Sequence, residues 1–144
     1  VTKAQVKPVG TLESSALGLI LLTNDGTLAK KLANMKSGIH QLYDIELKKP
    51  LDHAHLNQIK DGVIVEGHKV FVEDISYVEN KSKHNIGLAI KSQRPKIVQR
   101  IFKKLGYEIV KLDRVMYGDL TKRDLPRGRI RELNKQEVIN LGLL

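Results

Sequence analysis

GTLESSALGLILLTNDG, residues 10–26, is the stretch whose reading decides the fold. Leu17 to Thr23 is an apolar run carrying Gly18 and closed by Asn24, Asp25 and Gly26. Those three residues favour tight turns, because short polar side chains bond nearby backbone and glycine tolerates positive φ. TLAKKLANM follows with helical spacing. The order predicted is strand, turn, short helix. Glu13 stands just ahead of the strand, where a lone carboxylate is ordinarily a solvated surface group. Ser14 and Ser15 lack the context of a nucleophile elbow, and GTLESSALG lacks the Lys-Ser or Lys-Thr of a phosphate loop.

Working outward, QLYDIELKK (41–49) alternates Leu42, Asp44 and Glu46 with Tyr43, Ile45 and Leu47 and stops at Pro50, the pattern of a half-buried strand. PLDHAHLNQIKD (50–61) predicts a helix with Asp52 near its start and Gly62 as its stop. GVIVEGHKVFVEDISYVEN predicts two β-rich runs joined around Glu66, Gly67 and His68. NIGLAIKS (85–92) is a further strand. In RPKIVQRIFKKLG, Ile97, Val98, Ile101, Phe102 and Leu105 share one helical face, with Pro95 in the first turn and Gly106 after the end. The remainder reads as strand (YEIVKLDRVMYGDL), loop, strand (within LPRGRIREL) and a short helix capped by Asn134. The fold class is α+β, a mixed, mainly antiparallel sheet flanked by helices, with residues 1–144 as one unit.

At 144 residues, 41% hydrophobic and 28% charged, the chain can bury a core. A formal charge of +9 points to a polyanionic partner, nucleic acid first. The chain has no cysteine, which removes disulfides, thiolate nucleophiles and most structural zinc chemistry and fits a reducing compartment. No apolar run approaches a membrane span and VTKAQVKPVG lacks a signal-peptide core, so the cytoplasm is expected, with no membrane partner. His53 and His55 stand two apart, but without cysteine or HExxH spacing they argue for no metal site.

Two basic clusters are candidates for RNA contact. Arg94, Lys96, Arg100, Lys103 and Lys104 lie on or just before the second long helix, away from its apolar face. Lys122, Arg123, Arg127, Arg129 and Arg131 surround LPRG. Either could follow a phosphate backbone, releasing condensed counterions, and either could be a solvated face. Aromatic residues make up 4% of the chain, too few for a large base-stacking platform.

PVGTLESSALGLILLTNDGTLAKKL, QLYDIEL and LDRVMYGDLTKRDLPRGRIREL together resemble the RsuA/RluB-type ribosomal-RNA pseudouridine synthases. Pro8, Val9 and Gly10, the run Gly18 to Gly26 except Ile20, and later Leu112, Arg114, Gly118, Pro126, Gly128 and the closing Arg131, Glu132 and Leu133 match the family strings. The resemblance implies a catalytic domain without the S4 RNA-binding domain and first strand that usually precede it. It implies a protein that acts as a monomer on ribosomal RNA and isomerises a flipped-out uridine to pseudouridine without metal or cofactor. The catalytic aspartate position holds Glu13, and the tyrosine that stacks on the target base maps to Tyr43.

The chain departs from the family pattern at Thr11 for arginine, Ala16 for threonine, Gln41 for lysine and Gln99 for the arginine that pairs with the catalytic aspartate. Arg94 and Arg100 stand nearby to take over that pairing. A glutamate carries its carboxylate on the order of 1 Å further out, a displacement that can cost about a hundredfold in rate. An RNA-binding protein with impaired chemistry is therefore the second reading; a protein-interaction domain is a third, against which the charge argues. The expectation to be met is a basic cleft, floored by the strand after Glu13, that accepts an everted uridine.

Overall fold

The computed structural model describes residues 5–9, 16–33, 39–91, 96–123 and 125–142. Glu13 and Arg94, and with them Thr11 and Pro95, lie outside these residues.

The chain runs through β1 (Lys7–Pro8), β2 (Leu17–Gly18), β3 (Leu22–Thr23), α1 (Gly26–Ala33), β4 (Gln41–Leu47), α2 (His53–Asp61), β5 (Val63–Val65) and β6 (His68–Val70). It continues through β7 (Asp74–Tyr77), β8 (Asn85–Ile90), α3 (Ile97–Lys104), β9 (Ile109–Tyr117), β10 (Leu120–Thr121) and α4 (Lys135–Gly142). The main sheet has the order β10-β9-β4-β8-β7, with β2 added to β9; β1 pairs with β3, and β5 with β6. Every pairing is antiparallel except β2 with β9, which is parallel. The expected mixed, mainly antiparallel α+β class is what forms. No helix among the described residues is long and apolar enough to cross a membrane.

Local chemistry explains most boundaries. Asp25 caps α1, its Oδ1 accepting from the Thr27 and Leu28 amides at 3.1 Å each, so the Asn-Asp-Gly signal serves as a helix start. Asp52 caps α2 in the same way, accepting from the Ala54 amide, and Gly62 closes it at φ 106°. Asn134 and Glu137 exchange bonds at 2.8 and 2.9 Å, a capping box at the start of α4.

One face of the sheet is apolar. Ile45, Leu47, Ile75, Ile86, Leu88, Ile90 and Leu112 meet α2 through Leu56 and Ile59, and α3 through Ile97, Val98, Ile101 and Phe102. Phe102 is wholly buried, so Phe102→Ala would cost about 3–5 kcal/mol. A second, smaller cluster joins Val9, Leu32, Ile39 and Tyr117, with Leu28 and Ala29 of α1 against it.

The structure corrects three expectations. The run from Leu17 to Thr23 is two short strands, because Gly18 at φ 109° turns the chain against β9. The run after Gly67 divides: His68–Val70 closes a hairpin on β5, whereas Asp74–Tyr77 joins the main sheet on β8. No strand forms in LPRGRIREL. Gly128 takes φ 77°, the Arg129 amide bonds the Pro126 carbonyl at 3.1 Å, and Ile130 is left 61% exposed with no apolar partner to hold an alternating strand.

Candidate active site

Tyr43 sits in β4 directly opposite Leu88 of β8 and Arg114 of β9. It is half-buried and packs against the larger core, as does Ala16 at the end of the segment carrying Glu13. Its hydroxyl donates to Gln41 Oε1 at 2.8 Å. The same oxygen accepts from Arg114 Nη1 at 3.3 Å, while Gln41 Nε2 donates to the Ile39 carbonyl at 3.4 Å. Arg114 gives its Nε and Nη2 to the Leu19 carbonyl at 3.0 and 2.7 Å. Its guanidinium carbon lies 4.6 Å from the centre of the Tyr117 ring.

A bulge makes this network. Leu42 pairs with Met116 but Tyr43 pairs with Arg114, so β9 has one residue more than β4 at Val115. Without it, Arg114 and Tyr117, three apart, would point to opposite faces; with it both turn to the side of Gln41 and Tyr43. Gln41 and Arg114 are 5% and 2% exposed. Among the described residues no carboxylate pairs with Arg114, so carbonyl dipoles, the glutamine amide and an aromatic face carry its charge. Burial pushes the Tyr117 hydroxyl pKa up, Arg114 pulls it down and Tyr43 raises it again. The result is a polar seam between the two apolar clusters, with one phenol, Tyr43, at its edge.

Gly18 locks the first strand to the same place. It lies in register with Arg114, and the Leu19 amide donates to the Arg114 carbonyl at 3.0 Å. A Cβ on Gly18 would stand 2.2 Å from that carbonyl oxygen, so only glycine fits. Gly18, Arg114 and Tyr43 thus form one row across three strands. The segment with Glu13 feeds into this row, although Glu13 itself is not among the described residues.

The described basic candidates divide between exposed groups and groups engaged in ion pairs. Arg100 donates to Glu66 at 3.0 Å, which turns it toward the β5–β6 hairpin. Lys122 pairs with buried Asp113. Arg131 forms a two-pronged pair with Glu137 at 2.7 Å per bond, and this bond, followed by the Asn134 amide, holds the Glu137 carboxyl down to about 2. Lys96 begins α3 in a left-handed conformation, φ 58°. Lys103 and Lys104 close that helix, exposed, where cations complement the helix dipole. Arg123, Arg127 and Arg129 are exposed on the irregular segment after β10. His55 Nδ1 meets the Tyr107 hydroxyl at 2.6 Å and His53 stacks on Tyr77, so both histidines serve the corner that starts α2.

Arg114 is the residue that residue-by-residue reading passed over. The available signal was a lone arginine in the middle of KLDRVMY, a strand position a buried cation occupies only when its bonds are filled. Its partners, the Leu19 carbonyl and Gln41, are 95 and 73 residues away in sequence.

No protein-family model matches the chain. It is 34% identical over 143 residues to the ribosomal large subunit pseudouridine synthase B of Bacillus subtilis (strain 168), an alignment covering 97% of this chain and 59% of the relative. It is 31% identical over 137 residues to the protein of the same name from Xylella fastidiosa (strain Temecula1 / ATCC 700964), covering 90% of this chain and 29% of the relative. A crystal structure of a pseudouridylate synthase superposes with a TM-score of 0.80 at 26% identity, over 94% of this chain and 59% of that one. The chain therefore spans under two-thirds of each of these proteins. Sequence and fold agree over nearly all of its own length, and over that length the chain is similar to pseudouridine synthases.

Proposed function

We propose that residues 1–144 act as a catalytic domain that converts uridine to pseudouridine in RNA, with ribosomal RNA as the substrate, in the cytoplasm and as a monomer. The observation that carries this reading is the row Gly18–Arg114–Tyr43. It sets an aromatic residue beside a buried cation at the strand that follows Glu13.

In the proposed reaction the target uridine leaves its stack and its ring lies on Tyr43. Glu13 is the carboxylate that acts at the sugar or the base. The N1–C1′ bond breaks, the uracil turns, and C5 bonds to C1′; the C5 proton is lost and N1 gains one, so the step is an isomerisation. The Tyr43 hydroxyl bond to Gln41, itself held by Arg114, fixes the phenol so that little ordering remains to be done when the base arrives. Arg94, Lys96, Lys103, Lys104, Arg123, Arg127 and Arg129 hold phosphates. Arg100, Lys122 and Arg131 serve the same RNA face while holding the surface that carries it.

Ribosomal RNA incubated with the chain and digested to nucleosides should contain new pseudouridine, separable from uridine by retention on a reversed-phase column. RNA that is bound with steep salt dependence but returned without pseudouridine would overturn the catalytic reading and leave an RNA-binding protein.

A further inference from the structure

Phe71 is 64% exposed and Ile64 is 56% exposed, although Ile64 belongs to, and Phe71 directly follows, a hairpin whose other face is deep in the core. Val63, Val65 and Val70 are buried in the larger cluster, which leaves Ile64, Lys69 and Phe71 on the outer side. Glu66 and Gly67 turn the hairpin with φ 51° and 80°, the tight two-residue form that matches strand twist. The outer side is also built. A Cβ on Gly62 would come within 2.8 Å of Lys69 Cε and 3.1 Å of Phe71 Cε1, so the bare glycine seats both side chains. Lys69 Nζ stands 5.3 Å from the centre of the Phe71 ring. Glu66 ties the hairpin to α3 through Arg100, and that helix ends in the exposed Lys103 and Lys104.

An exposed aromatic ring held in place, with an ammonium beside it and a basic helix attached, is the arrangement that takes a base by stacking and its phosphates by charge. We propose that Phe71, with Lys69, is a second base-stacking platform for an unpaired nucleotide of the bound RNA. This inference rests on the RNA reading above. Protein partners fit less well, because the Phe71 ring carries an ammonium beside it and the chain as a whole a charge of +9.

The chain has no tryptophan, so Phe71→Trp provides a single fluorophore at the platform. With a single-stranded oligouridylate of about 12 nucleotides, Phe71→Trp should keep the parent's affinity and lose emission as RNA is added. Phe71→Ala should bind about 5- to 20-fold more weakly with an unchanged salt slope, and Phe71→Leu should resemble Phe71→Ala, since an apolar side chain without a π-face does not stack. Lys69→Gln should instead lower the salt slope by about 0.7. Parent-like affinity in Phe71→Ala, or unchanged tryptophan emission at saturating RNA, would overturn the platform while leaving the RNA reading intact. A parent that binds no RNA would overturn both. RNA-free protein that sediments as a dimer, and as a monomer in Phe71→Ala, would reassign the patch to self-association.

Discussion

Gly18→Ala is the most direct test of the row that builds the site. The new methyl group would stand 2.2 Å from the Arg114 carbonyl oxygen and 2.6 Å from its nitrogen, both backbone atoms that cannot swing aside. At φ 109° the alanine is also in a region that costs an L-residue about 1–3 kcal/mol. Relieving the overlap moves β2 off β9 and adds a further ~1–3 kcal/mol. A loss of about 2–6 kcal/mol corresponds to a fall in melting temperature of roughly 6–18 °C for a domain of this size. Gly67→Ala is the matching control: its φ is 80° with no atom within 4 Å of the added Cβ, so it carries the backbone cost alone, about 1 kcal/mol or roughly 3 °C. Thermal melting followed by circular dichroism separates the two. Equal melting temperatures for the two variants would mean that β2 does not press on Arg114, and the route from Glu13 to the seam would be wrong.

Three further outcomes follow from the same geometry. Gln41→Leu removes the acceptor shared by Tyr43 and Arg114, costing about 1–3 kcal/mol and lowering kcat about tenfold with low-salt RNA affinity retained; Gln41→Glu, which keeps an acceptor, should stay closer to the parent. Lys122→Met strands the buried Asp113 carboxylate, whose Oδ1 already has no partner among the described residues. Because the lysine side chain is 38% exposed, the cost in denaturant melts should be about 2 kcal/mol, and adding Asp113→Asn should recover most of it. Glu137 ionises at about 2 in the folded chain against an ordinary 4.5, so its stabilisation is present above 4.5 and disappears as the pH falls toward 2. Glu137→Gln should flatten that part of the acid denaturation curve.

The parts of the fold that were legible in the sequence are those specified by neighbours. Alternation in QLYDIEL, the Asp52 and Asn134 caps and the apolar face of Ile97 to Phe102 are all local chemistry, and the elements form where that chemistry puts them. What was not legible depends on distant partners. Nothing near Gly18 announces the β9 carbonyl that breaks its strand, and nothing near Arg100 announces Glu66. The alternation of KLDRVMY cannot reveal the extra residue at Val115 that brings Arg114 and Tyr117 to one side. LPRGRIREL alternates as a strand would, but Ile130 is exposed among charged neighbours and the segment stays irregular. Within the candidate site, family resemblance marks Tyr43, whereas its bond to Gln41 and the Arg114 bond to the same oxygen join residues that no local pattern links.

Release of tritium from ribosomal RNA carrying uridine labelled at C5 tests the central claim most directly, because that hydrogen leaves only when C5 bonds to the sugar. The parent should release label to water and Glu13→Ala should release none. Glu13→Asp should match or exceed the parent, by up to about a hundredfold if the shorter side chain restores the better position. Release that persists in Glu13→Ala, or none from the parent on RNA it binds, would contradict the account.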